Sequence, residues 1–356
     1  MDDRAWVATR KGLFELQRVG LAWRIARSSF LGEPVTMLLP PDAGGRMLAA
    51  LNLGHFGVKV HASDDAGATW REVTTPLYPP QPPDAQGPEW KLVMVWSLER
   101  AAGRVWAGTL PGGLFSSADF GGSWQLCEPL WQQPGRTDWF GGGYPCPGIH
   151  SICSHPLRPD ELFLGISCGG AWHSPDAGAS WSLRTHGMRA AYMPPEQADD
   201  GNTQDPHRIE RCAADPEVLW CQHHNGIWRS ADNGASWQEL NAPVSSFGFA
   251  VAAHPQDPLT AWFVPAEADQ RRVPVDAAMV VNRTRDGGQT FETLRAGLPQ
   301  RDTYDLVYRH GLAVGSDGRT LLMGSTTGGL WTSFDGGDHW HTVSLNLPPI
   351  AAVRFG

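Results

Sequence analysis

The sequence has no run of about 18 apolar residues, so no membrane-spanning helix is expected. No stretch carries heptad or 3.6-residue periodicity, and long amphipathic helices are excluded with it. Basic charge is scarce: 28 Lys and Arg stand against 37 Asp and Glu, a formal net charge of −9. That sign argues against non-specific binding to nucleic acid or to an anionic membrane. Only six cysteines occur (Cys127, Cys146, Cys153, Cys168, Cys212 and Cys221), none in a CxxC pair. The first residues, MDDRAWVATRKG, lack the basic and apolar regions of a secretion signal. Together these point to a cytoplasmic protein with reduced thiols.

What is abundant is 17 Trp, 41 Gly and 29 Pro in 356 residues. Gly and Pro punctuate short strands, and Trp fills the space between sheets. The composition reads as all-β with many turns. The length exceeds what one compact core usually supports, unless repeats each bury a face against their neighbours.

One pattern repeats, S-x-D-x-G-x-[ST]-W: SDDAGATW from Ser63, SADFGGSW from Ser117, SPDAGASW from Ser174 and SADNGASW from Ser230. Two looser copies are TRDGGQTF from Thr284 and SFDGGDHW from Ser333. Their aspartates are Asp65, Asp119, Asp176, Asp232, Asp286 and Asp335, at steps of 54, 57, 56, 54 and 49 residues. This period fits one four-stranded propeller blade. The box is expected at the turn between the third and fourth strands. There the Asp would accept backbone N–H groups two residues on, and the Trp would pack beside the next sheet.

Six boxed blades leave over RAWVATRKG, GLFELQ and AWRIAR at one end and IAAVRFG at the other. The latter reads as the missing inner strand of the first blade. The expectation is a single domain over 1–356: a seven-bladed β-propeller with four antiparallel strands per blade, closed by pairing of its terminal strands.

The boxes resemble those of the BNR/Asp-box repeat superfamily, a sialidase-like group that includes sialidases, xyloglucan-cleaving enzymes, the sortilin ectodomain and photosystem assembly factors. The resemblance covers nearly the whole chain and implies the propeller fold. Its members do different things, so it leaves function open. In its enzymes it implies an active site over the central channel, at the end opposite the boxes.

Three long loops fall at that end: TPLYPPQPPDAQGPEWK, EPLWQQPGRTDWFGGGYPCPG and THGMRAAYMPPEQADDGNTQDP. Long loops are commonly functional. Trp131, Trp139, Tyr144 and Tyr192 in them suit either the lining of a ligand cleft or the packing of the loops themselves. Five of the 13 histidines map to the same rim: His55, His150, His207, His223 and His224. The remaining polar groups there include Arg10, Ser167, Cys168, Asp205, Arg208, Glu267, Asp269, Tyr304, Asp305, Tyr308 and Arg309.

Two chemistries follow. The histidines suit a divalent Zn, Cu, Fe or Ni ion, with Asp205 or Glu267 completing or orienting the shell. Without metal, His and carboxylates would act as general acid and base while Arg10, Arg208 and Arg309 hold an anionic group. The resemblance to sialidases implies a Tyr–Glu nucleophile for that version, for which Tyr308 or Tyr304 with Glu267 are the candidates. The chain has no FRIP-like Arg motif near its start; ATRKG with Arg10 is the nearest segment. The sequence favours a hydrolase acting on a small-molecule or glycan ligand at the channel mouth. A metal-free exo-sialidase or other glycosidase is one alternative, and a non-catalytic binding or assembly scaffold is another. No organic cofactor is implied.

Overall fold

A computed structural model describes residues 3–85 and 87–356. It contains seven four-stranded sheets, and the chain is a seven-bladed β-propeller. Blade 1 orders its strands Ile350–Phe355, Arg4–Thr9, Gly12–Val19 and Ala22–Ser29. The terminal strands meet in antiparallel register, with Ala5 opposite Phe355 and Val7 opposite Val353. The expected closure of the first blade is therefore present.

The other blades run in chain order. Blade 3 is built from Met94–Ala101, Arg104–Leu110, Leu114–Ser117 and Gln125–Leu126. Blade 4 follows with Ile149–Ser154, Leu162–Ile166, Gly170–Ser174 and Ser182–Leu183, and blade 5 begins at Pro206–Arg211. The first two strands of blade 4 are buried almost throughout, whereas its short fourth strand is half-exposed. This gradient explains why the sequence reads clearly in the first three strands of each blade and weakly in the fourth.

Packing divides the chain into two compact units. One comprises Met1–Val35, Glu210–Asn233 and Gln238–Gly356; the other comprises Thr36–Ile209 and Gly234–Trp237. In the first, Trp262, Val264, Val281, Leu321 and Trp331 join blades 6 and 7 in one core. In the second, Trp106, Ile149, Leu162, Leu164 and Trp172 do the same for blades 3 and 4.

The boxes sit between third and fourth strands as expected, but their hydrogen bonds correct the sequence reading. Asp176 Oδ1 accepts from Ser174 Oγ at 2.9 Å and from the Ser180 N–H, four residues on, at 2.8 Å. Its Oδ2 accepts from Ser180 Oγ at 2.6 Å. Ala177 and Gly178 both take positive φ (54° and 85°), which turns the chain back so that the fourth N–H faces the carboxylate. The looser copies place Gly287 and Gly336 at the first of these positions, where the left-handed backbone costs least.

Two of the box tryptophans also reach backwards. The indole of Trp124 donates to Thr74 O and that of Trp237 to Arg184 O, both at 2.9 Å. Each acceptor follows the outer strand of the preceding blade, not the next one, because the box turn lies against that strand's end.

Candidate functional site

The loop before blade 5 is ordered by its own polar groups. Asp200 caps the turn at Gly201–Thr203 by accepting the Asn202 N–H at 2.9 Å. Gln204, fully buried, donates to Ala198 O and Asp200 O at 2.9 Å, and its carbonyl accepts the Gly170 N–H. Tyr192 closes the loop by donating to Thr203 O at 2.5 Å. Burial pushes its hydroxyl well above the ordinary range, and the charge of Asp205 adds to this, so it stays a neutral donor.

This anchoring delivers Asp205 and His207 into the interior, 1 % and 2 % exposed. A buried carboxylate needs donors. Asp205 Oδ1 finds the Cys168 N–H at 3.1 Å and Ser167 Oγ at 3.3 Å. Both belong to the turn after Leu162–Ile166 of blade 4, where Cys168 takes φ of 43° to aim its N–H. Asp205 Oδ2 lies 3.4 Å from His207 Nε2.

A second loop closes over the pair. Phe140 N–H bonds Cys168 O at 3.2 Å. Gly142 approaches so closely that a Cβ there would lie 2.8 Å from Asp205 Oδ2, Cys168 Sγ and Ser167 Oγ.

Other candidate residues are held by different partners. His150, fully buried, has Nδ1 3.0 Å from Ser151 Oγ and its ring edge-on to Trp96. Arg208 donates to His150 O at 3.3 Å and is 9 % exposed. His55 is exposed and stacks on Phe56.

In the other unit, His223 is fully buried; its Nδ1 accepts the Asn225 N–H, and its ring packs on Trp228. His224 is half-buried with its ring edge-on to Phe247. Tyr308 and Arg309 pack on Phe249, with Arg272 over the same ring and paired to Asp269 at 2.5 Å. Glu267 is held by Arg271 at 2.6 Å. Ser325 Oγ donates to Asp305 at 2.6 Å. Arg10 is exposed.

Of the predicted metal ligands, Asp205 and His207 lie within reach of one ion, whereas His150 in the same unit turns to Ser151 and Trp96. Ser167 and Cys168, which carry no distinctive signal in the sequence, emerge as the groups that fix Asp205.

The expected aromatic lining is also partly assembled. Trp131 and Trp139 line a cleft of about 420 Å³, solvent included, with Trp90, Arg136 and three prolines. Tyr144 instead meets Trp96, 43 % exposed, and Tyr192 serves its own loop. Arg136 was not among the sequence candidates. Its one signal there is a lone cation in an aromatic loop.

No family model matches the chain. A xyloglucanase from a Paenibacillus species is 24% identical over 271 residues, covering 62% of this chain and 24% of that protein. The chain thus spans about a quarter of the length of the curated relative it matches. The crystal structure of an ancestral GH74 enzyme superposes with a TM-score of 0.61 at 16% identity, over 90% of this chain and 38% of that one. YCF48 bound to the D1 peptide gives 0.55 at 14% identity, over 86% and 80%. The likeness to these structures is one of fold. One neighbour is called an enzyme and the other a peptide complex, so function turns on this chain's own residues.

Proposed function

We propose that the chain is a propeller hydrolase of glycans or small polar molecules that works with a divalent metal on Asp205 and His207. The carrying observation is the spacing of the donors. His207 Nε2 and Asp205 Oδ2 stand 3.4 Å apart, longer than the roughly 2.7–2.9 Å of a charge-assisted hydrogen bond. Two ligands bound tetrahedrally at about 2.0–2.1 Å would be separated by roughly 3.3 Å.

A carboxylate and an imidazole suit Zn, Fe, Ni or Cu, and such an ion would keep positions for water and substrate, as catalytic sites do. Such an ion supplies a Lewis acid that polarises a leaving-group oxygen or acidifies a water. Asp205 brings the negative charge, and its bonds to the Cys168 N–H and Ser167 Oγ fix that carboxylate's orientation. The Gly142 loop limits solvent over the pair. The curated xyloglucanase relative supports a glycan as the first substrate class to try.

The test is release of reducing ends from xyloglucan and from acidic polysaccharides, by protein as purified, after chelation, and after returning each metal. Turnover that chelation abolishes and one metal restores is the expected result. Turnover indifferent to chelator contradicts the metal and moves the chemistry to acid–base carboxylates. No turnover on any substrate contradicts the hydrolase and favours a binding scaffold.

A further inference from the structure

The cleft lined by Trp90, Trp131, Trp139 and Arg136 has a feature that packing alone does not require. Arg136 Nε donates to Trp131 O at 2.6 Å, and its guanidinium lies over the Trp131 ring at 3.9 Å from the centroid. Trp90 flanks it at 5.7 Å, edge-on to Trp131. The fork is therefore anchored at one donor and fixed in plane by stacking. An arginine carries five N–H donors. The four on its terminal nitrogens meet no acceptor among the described residues, and no carboxylate pairs with it. Glu89 and Asp138, in the same loops, are exposed to solvent.

A half-buried, pre-oriented arginine without a counter-charge matches a planar oxyanion. The rest of the lining describes what carries that anion. Indole edges and prolines offer apolar surface. The indole N–H groups of Trp90, Trp131 and Trp139 are buried with no acceptor among the described residues, so a purely apolar occupant would leave them unmet.

We propose that this cleft binds an acidic sugar, a pyranose ring whose carboxylate sits on the Arg136 fork. A ring offers apolar C–H faces to the indoles, hydroxyls accept from N–H groups, and the carboxylate supplies the missing charge. A proline-rich peptide would fit the aromatic lining but leaves Arg136 without a partner. The inference rests on the cleft alone and not on the metal reading, since every group it uses lies outside Asp205 and His207.

The experiment is calorimetric titration of the full chain, with and without chelator, using trigalacturonate and its methyl ester. The acid should bind at least about tenfold more tightly than the ester, unaffected by chelation. That preference should shrink with added salt and vanish in Arg136→Gln. The acid–ester comparison on the unaltered protein needs no variant to fold, and Arg136→Lys, which keeps the charge without the fork, should retain only part of the preference. Equal affinity for acid and ester overturns the proposal. So does no binding of either at about 10 mM, an acid preference that survives Arg136→Gln, or capture of a proline-rich peptide with no response to the sugar.

Discussion

Asp205 shows how little of a site a single residue type reveals. In the sequence it is one of 37 acidic residues, marked only by its place at the end of a long loop. Its significance comes from burial to 1 % and from donors 37 and 38 residues away in the chain, Cys168 and Ser167. Neither a turn cysteine nor a turn serine announces such a role. Aligned repeats let the sequence propose five rim histidines together. Their surroundings were not legible, since neighbouring side chains decide them: His150 turns to Ser151 and Trp96, and His223 to Asn225 and Trp228. Gly142 is the sharpest single-residue test. A methyl there meets Asp205, Cys168 and Ser167 at 2.8 Å. Gly142→Ala should lower metal affinity roughly 10- to 100-fold, the size of other changes around metal ligands. The melting temperature should move little, because the three atoms nearest the added methyl are side-chain ends and not backbone. Metal titration with a thermal melt on the same sample checks this, and unaltered affinity would show that the loop does not press on the pair.

At the scale of the element, the eight-residue box was the most legible feature and still misled in detail. The sequence placed it between the third and fourth strands, where it is. The bond pattern depends on two consecutive left-handed residues, and Ala66, Phe120, Ala177 and Asn233 adopt that backbone without being glycine. No residue type signals it. The bonds have an electrostatic consequence. The Thr69 N–H and hydroxyl hold Asp65 at about 2, below its ordinary 3.8, and the Ser123 N–H and hydroxyl do the same for Asp119. A carboxylate depressed in the folded state stabilises above its unfolded value and loses that contribution as pH falls through the folded one. The melting-temperature gap between the unaltered protein and Asp119→Ala should therefore be complete at pH 5 and close between about pH 4 and pH 2. A gap that persists at pH 2 would show that the Asp acts by shape and not by charge. Buried Arg283 makes a further link that the box pattern does not show, donating from blade 6 to Gly336 O and Asp338 in the box of blade 7.

For the molecule as a whole, the count of seven followed from six boxes plus two leftover ends, and Ala5 opposite Phe355 bears it out. Repetition made this possible, because each blade confirms the frame of the others. Removing 350–356 takes away the inner strand of blade 1, including Ile350 and Val353, which pack with Leu322 and Leu330 of blade 7. Its loss should lower the melting temperature by well over 10 °C, or prevent folding, given the several buried side chains at about 1.5–3 kcal/mol each. Melting unchanged by the deletion would refute the closure. Function was less legible, since a fold shared with enzymes and peptide binders does not choose between them.

The choice rests on whether Asp205 and His207 hold a metal. Elemental analysis of the purified, untagged chain beside His207→Gln measures it directly. His207 is 2 % exposed, and glutamine is a near match in size, so the change should spare the fold. The expected result is about one equivalent of a transition metal in the unaltered protein, removable by chelator, and a small fraction of that in His207→Gln at a similar melting temperature. An unaltered protein without metal that also fails to take up added Zn, Fe, Ni or Cu would contradict it.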